Sequence, residues 1–238
     1  MNMPQIQPFK PEQLNDSGLN LQFVINIDDL PSSIKEQLGR QVDPLHRYRQ
    51  LVLIGHGGKT LWRALAESRG AAKEDPIDHF TVDVISNWLN RFHANIHSQV
   101  IYPTSKDIDL ITLGELAGWH HDSPFKSGIN NIWGPWFAYR AVILADSHFA
   151  ITPPQKAPSP CTTCSEKICI SSCPAEACSE QGLDINKCIR YRRTPNSKCA
   201  KTCLARISCP VQVQHQYTET QLDFHYTESM KIINQFDL

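Results

Sequence analysis

The apolar positions fall into short runs divided by polar, Gly- and Pro-rich stretches, and two periods alternate among them. Leu21-Gln-Phe-Val-Ile-Asn-Ile27 predicts a strand, and Pro31-Ser-Ser33 opens a short helix with a serine cap. Leu51-Val-Leu-Ile54 reads as a buried strand, stopped by Gly55, Gly57 and Gly58. Thr60 to Ser68 reads as helix. Asp78 to Phe92 is a second helix, because Phe80, Val84, Ile85, Trp88 and Leu89 recur at helical spacing. Gln99 to Tyr102 is a strand ended by Pro103, and Asp109 to Gly118 a helix. His120 to Asn131 is a loop, and Trp136 to Asp146 a strong strand around Ala141-Val-Ile-Leu144. Strands alternating with helices place the chain in the α/β (α+β) class, a sheet with flanking helices.

Pro153, Pro154, Pro158 and Pro160 form a stiff linker. It divides the chain into an α/β domain (1–152), a cysteine module (153–215) and a partly helical C-terminal segment (216–238) expected to pack back on the first domain. All nine cysteines lie between Cys161 and Cys209. A uniform core would scatter them, so the module has its own chemistry.

Composition changes this picture little. The 238 residues are 41% hydrophobic, enough for a sizeable core, and the net charge of −1 gives no global argument for nucleic acid or an acidic membrane surface. Met1 to Lys10 lacks the apolar core and basic start of a secretory signal. Phe137 to Ala145 is too short to span a bilayer and is broken by Arg140. The expectation is a soluble cytoplasmic protein with no membrane partner, where a reducing environment disfavours disulfides.

The cysteines run Cys161-x2-Cys164-x4-Cys169-x3-Cys173-Pro174, then Cys188, then Cys199-x3-Cys203-x5-Cys209-Pro210. Two-cluster ferredoxins use C-x2-C-x2-C-x3-C-P, the fourth cysteine crossing to the other cluster. Four thiolates must meet the four irons of a cube, so three come from a tight loop and one from a distance. On this pattern Cys161, Cys164, Cys169 and Cys209 hold one [4Fe-4S] cluster and Cys173, Cys188, Cys199 and Cys203 the other, with Cys178 left over. The x4 gap and the wide second set depart from the pattern. Zinc is the competing reading, but zinc sites favour two short C-x2-C hooks, and only one is present. From Lys156 to His215, nine Lys and Arg face four Asp and Glu. Two clusters bring a charge of about −4, which the local excess of five, carried by Lys187, Arg190, Arg192, Arg193, Lys198, Lys201 and Arg206, nearly balances. The same bases could bind RNA, a weaker alternative because only Tyr191 offers an aromatic platform.

Other motifs are slighter. Gly55-His-Gly-Gly-Lys-Thr60 fails as a P-loop, since Leu53 stands where a glycine is needed, and fails as a dinucleotide fingerprint at Thr60. It is a tight turn or an anion-binding turn. His120-His121-Asp122 is either plain loop or a ligand or acid/base pair. Arg140 follows Trp133, Trp136, Phe137 and Tyr139 into a buried strand and needs an anionic or hydrogen-bonding partner, either an internal carboxylate or a ligand or cofactor group lying against the aromatic floor.

These residues carry a resemblance. Gly134-Pro-Trp-Phe-Ala-Tyr-Arg140 resembles the Gly-Trp-Phe-Ala-x-Arg segment of the cblC-type cobalamin-processing chaperones. The order of α/β domain, prolines and paired Cys-Pro runs is similar to epoxyqueuosine reductase and, in outline, to reductive dehalogenases. Bacterial ferredoxin-like proteins of unassigned role share Leu51 to Trp62, Asp75-Pro-Ile-Asp78, Trp133 to Leu144 and Cys203-Leu-Ala-Arg-x-x-Cys-Pro210. The resemblance implies a nitroreductase-like sheet that binds cobalamin or another corrinoid, fed with electrons by a two-cluster module, with Trp136 and Arg140 lining the cofactor pocket. The queuosine enzymes keep a catalytic aspartate in a Val-Asp-x-x-Pro context. Here Leu116-Ala-Gly118 follows Lys106-Asp-Ile-Asp109, without that proline.

The expected function is therefore an iron–sulfur redox protein acting on a corrinoid or other small molecule, supplied by a donor of ferredoxin or flavodoxin type. A non-enzymatic electron-transfer adaptor and an RNA-modifying relative are the alternatives, and whether the chain is an enzyme stays open.

Overall fold

The computed structural model describes residues 5–68, 74–105 and 107–235. The start of the Met1 to Lys10 segment, Lys106 and the last three residues of the tail lie outside them. The chain divides into two compact units, residues 1–118 with 138–155, and residues 119–137 with 156–238.

The first unit carries a four-stranded sheet of β1 (Leu21–Asn26), β2 (Gln50–Gly57), β3 (Ser98–Tyr102) and β4 (Phe137–Ala145), in the order β1-β2-β4-β3. β1 pairs antiparallel with β2, from Leu21 opposite Gly55 to Asn26 opposite Gln50. β3 pairs antiparallel with β4, with an irregularity between Val100 and Tyr102. The helices are α1 (Glu12–Asp16), α2 (Ser32–Gly39), α3 (Thr60–Glu67), α4 (Pro76–Phe92) and α5 (Leu110–Leu116). α2 departs from its expected start: Pro31 holds the cap position, with no side-chain cap bond.

β2 is buried along its whole length, and it runs three residues beyond the predicted stop. The glycines do not break it, because Gly55 pairs with Leu21. Asn20 also closes the end, its Oδ1 accepting from Gly57 N at 2.7 Å and its Nδ2 donating to Gly57 O at 3.2 Å. In α4, Val84, Ile85 and Trp88 are buried as the periodicity requires, and Trp88 Nε1 donates to Lys10 O at 2.8 Å. Gly118 ends the α5 segment at φ +71°, where a Cβ would stand 2.0 Å from Gln155 O. Both facts demand glycine.

The second unit contains α6 (Pro160–Thr163), α7 (Ile168–Ser171), β5 (Cys178–Ser179), β6 (Gly182–Leu183), α8 (Ile185–Arg192), α9 (Leu204–Ile207) and α10 (Glu219–Ile233). β5 and β6 form a short antiparallel hairpin. Its core is built partly of thiols: Phe125, Ile129, Cys169, Cys178, Ala205 and Cys209 are buried together. The units do not follow a boundary at residue 152. Residues 119–137 go with the cysteines, because Phe125 and Ile129 complete that core. α10 also belongs to this unit, where Arg192 donates to Ser229 Oγ at 3.0 Å and to Tyr226 O at 3.2 Å. Among the described residues, no helix is long and apolar enough to cross a membrane.

Candidate functional site

All nine cysteines are free thiols. All nine lie around two separate cavities of the second unit, four at one and five at the other. Cys161, Cys164, Cys169 and Cys209 line a cavity of about 490 Å3. Cys173, Cys188, Cys199 and Cys203 line one of about 150 Å3, with Cys178, Arg192 and Tyr226. Single-turn helices present most of them. Ser159 starts α6 and its hydroxyl accepts from Cys161 N at 3.3 Å. Cys169 lies in α7, Cys188 in α8, and Cys203 caps α9, which ends just before Cys209. α7 and α9 are single turns with one thiol in or before the turn and another after it, and Cys173 lines the second cavity while Cys209 lines the first.

The thiols perturb one another. Burial pushes Cys209 up to about 11, and repulsion from Cys169, Cys161 and Cys164 adds to it. Burial pushes Cys188 up to about 11 as well, with repulsion from Cys203, Cys173 and Cys199 against the opposing pull of Arg192. Cys161, Cys169 and Cys199 are raised chiefly by burial. Cys173 is the exception. Burial opposes its thiolate, but the N–H groups of Ala177, Ala175 and Cys178 and the Cys178 thiol donate to its sulfur and lower its pKa. Cys178, in turn, is raised, by burial first and then by Cys173. Among the described residues, no three or more His, Cys, Asp or Glu side chains gather to hold a single metal ion.

The basic residues separate into two populations. Lys187, Arg190, Lys198 and Lys201 are exposed, and Lys201 pairs with Asp223 at 3.2 Å. Arg192 is buried and donates from Nε to Cys199 O at 3.1 Å. Arg206 is half-buried as a residue, but its guanidinium is enclosed. It lies 4.7 Å from the Trp136 ring centre and 5.0 Å from that of Tyr217. It donates twice to Pro135 O, at 3.1 and 2.6 Å, and bonds to Tyr226. Trp136 is fully buried in this cluster with Leu222. Arg206, Tyr226 and the burial of Arg192 were not singled out by the sequence. Arg206 stood among seven bases of equal standing, and Tyr226 sits on a helix with no motif.

Arg140 lies on β4 in the first unit, half-buried. Its Nε donates to Nδ1 of the fully buried His56 at 2.9 Å. With Nδ1 accepting, the neutral imidazole carries its proton on Nε2. Among the described residues no carboxylate pairs with Arg140, so the internal ion pair weighed for it is not formed. His56 comes from the Gly55-to-Thr60 segment, which delivers this histidine instead of a phosphate loop.

The remaining candidates resolve locally. His120 is buried with Nε2 3.8 Å from Asp122 Oδ1, while Asp122 is exposed and also 3.5 Å from Lys126. Asp109 caps α5, accepting from Ile111 N, Thr112 N and Thr112 Oγ1. Asp107 is exposed and pairs with Arg40 at 3.4 Å.

No protein-family pattern and no curated protein match the chain by sequence. Solved structures do match in fold. One is an epoxyqueuosine reductase with a modified tRNA stem loop, at 14% identity and a TM-score of 0.53, over 87% of this chain and 65% of that one. Another is the epoxyqueuosine reductase from Bacillus subtilis, at 14% identity and a TM-score of 0.52, over 88% and 67%. The chain thus spans about two thirds of the length of these reductases. A C. elegans B12-trafficking protein, CblC, aligns over 92% of both chains at 16% identity and a TM-score of 0.48, a likeness too slight to carry an argument. The chain has a mixed α/β fold related to that of the reductases.

Proposed function

We propose that this chain is an iron–sulfur redox protein with two [4Fe-4S] clusters, one held by Cys161, Cys164, Cys169 and Cys209 and the other by Cys173, Cys188, Cys199 and Cys203. The observation that carries this reading is the sorting of the nine thiols, widely spaced in sequence, into four around one cavity and five around another; the Cys-Pro spacing selects Cys178 as the one that is not a ligand. The donor chemistry fits. Crowded, buried thiols whose negative charges repel are stabilised as thiolates by bound cations. A cube takes one thiolate on each of four irons, a wider ring than a single ion gathers. When bound, such clusters supply electrons one at a time.

In this reading the first unit binds the acceptor, a corrinoid or another small molecule with an anionic group. Arg140 is the residue placed to hold that group: His56 takes only its Nε, and the rest of the guanidinium keeps its donors. Trp136, expected beside Arg140, is instead fully buried in the second unit with Tyr217 and Leu222. The related fold supports a redox role but does not select the substrate, and a protein acceptor or tRNA are the competing assignments.

Anaerobic iron and sulfide analysis tests the clusters, with about eight of each expected per chain. Zinc without sulfide would overturn them. Titration with cob(II)alamin tests the acceptor. An unchanged cobalt spectrum at high micromolar protein, together with tight, salt-dependent tRNA binding, would shift the assignment to RNA.

A further inference from the structure

The two thiol cavities differ in their electrostatic surroundings, the first balanced and the second cationic. Around the first, the cations are Lys126 and Lys167. Lys126 is well exposed and 3.5 Å from Asp122, and Lys167 is 2.6 Å from Glu180. Each positive charge is answered by a carboxylate on the same rim. The second cavity is lined by Arg192, with no carboxylate on its wall. Arg192 spends its donors on Cys199 O, Ser229 Oγ and Tyr226 O, all uncharged. Arg206 lies three residues from Cys203, within reach of its charge, and bonds to Tyr226 on that wall. Its other partners are a carbonyl and two aromatic faces. Two enclosed guanidinium groups, neither paired with a carboxylate among the described residues, thus flank Tyr226. A buried cation without a counter-charge is costly, and nothing on the protein side supplies one here except the thiolates.

We infer that Arg192 and Arg206 are the buried counter-charges of the group held by Cys173, Cys188, Cys199 and Cys203, and set its reduction midpoint above that of the group held by Cys161, Cys164, Cys169 and Cys209. This rests on the two-cluster reading. Reduction adds one negative charge, and an enclosed cation favours it most where little water screens the attraction. Water reaching the larger first cavity works in the opposite direction. The arginines outweigh it, because each presents a full charge that no carboxylate among the described residues cancels.

The test uses the full chain, reconstituted anaerobically, with iron and sulfide counted first. It is then titrated with dithionite through redox mediators and followed by electron paramagnetic resonance. Two separated midpoints are expected, and Cys188→Ser should perturb the signal of the higher one. Arg192→Gln and Arg206→Gln should each move the higher midpoint down towards the lower. Lys201→Gln removes the same charge from an exposed site and should move neither, and Arg206→Lys should hold the midpoint. If Arg206→Gln does not fold, Arg192→Gln decides alone. Coincident midpoints, a higher midpoint belonging to the Cys161 group, or arginine variants without effect would overturn the inference and leave the clusters standing. An iron and sulfide count far below eight would instead overturn the two-cluster reading, and the inference with it.

Discussion

The guanidinium of Arg206 lies 4.7 Å from the centre of the Trp136 ring, and the indole N–H beneath it has no acceptor among the described residues. The ring therefore acts as a surface rather than a donor. Trp136→Ala should destabilise the protein by roughly 3–5 kcal/mol, through lost burial and a cavity beside Tyr217. Trp136→Phe keeps most of the volume and loses no hydrogen bond, so about 1–2 kcal/mol is expected. Urea unfolding of the two variants checks the order. Equal losses would show that the indole N–H has a partner after all.

Cys178 and Cys164 differ in what their loss should do. Cys178 lies in the second cavity with four other cysteines and its S–H donates a hydrogen bond to the Cys173 sulfur. Cys164 stands among only four. Cys178→Ser should leave iron and sulfide at about eight per chain, whereas Cys164→Ser should lower both towards about four. Iron loss in Cys178→Ser equal to that in Cys164→Ser would make Cys178 a ligand.

α4 could be read from Phe80 to Leu89 because burial on one face imposes a helical period, and β2 and β4 could be read because strands buried on both faces show continuous apolar runs, Leu51 to Ile54 and Ala141 to Leu144. That Cys209 lines the first cavity and Cys173 the second agrees with the spacing, since the short turns between Cys169 and Cys173 and between Cys203 and Cys209 limit where each thiol can point. What could not be read were contacts between segments distant in sequence. The pairing of Arg140 with His56 joins residues 84 apart. Phe125 and Ile129 complete the thiol core from a loop that showed no pattern. The choice between Arg192 and Arg190 as the buried base is made by α10 packing against α8, and no local rule reports that.

Asp109 has a structural task that separates it from a catalytic aspartate. Its carboxylate accepts from two backbone N–H groups and the Thr112 hydroxyl at the start of α5. Asp109→Ala should cost about 1 kcal/mol, and Asp109→Asn, an equally good cap, a few tenths. Thermal unfolding compares them. A loss of stability in Asp109→Asn as large as in Asp109→Ala would mean that the charge, not the cap, is what matters.

His93 gives the fold a pH dependence of predictable sign. Its ring is buried at the end of α4, 4.5 Å from the Trp88 ring centre and 5.0 Å from that of Phe149, with Nε2 3.0 Å from Phe9 O. Burial lowers its pKa below 6.5, against the Phe9 carbonyl, which favours the protonated ring. Above about pH 6.5 the ring is neutral in both folded and unfolded chains, and its contribution to stability is fully present. As the pH falls through that value, the unfolded chain takes up a proton that the folded chain refuses, so stability declines. Below the folded pKa both states are protonated and the decline stops. His93→Phe keeps a ring in the cluster and loses the Phe9 bond, so it should be less stable at neutral pH and less sensitive to acid. Unfolding midpoints of the two proteins should therefore converge as the pH is lowered from about 7.5 to about 5. Parallel curves across that range would show that His93 takes no part in the acid response.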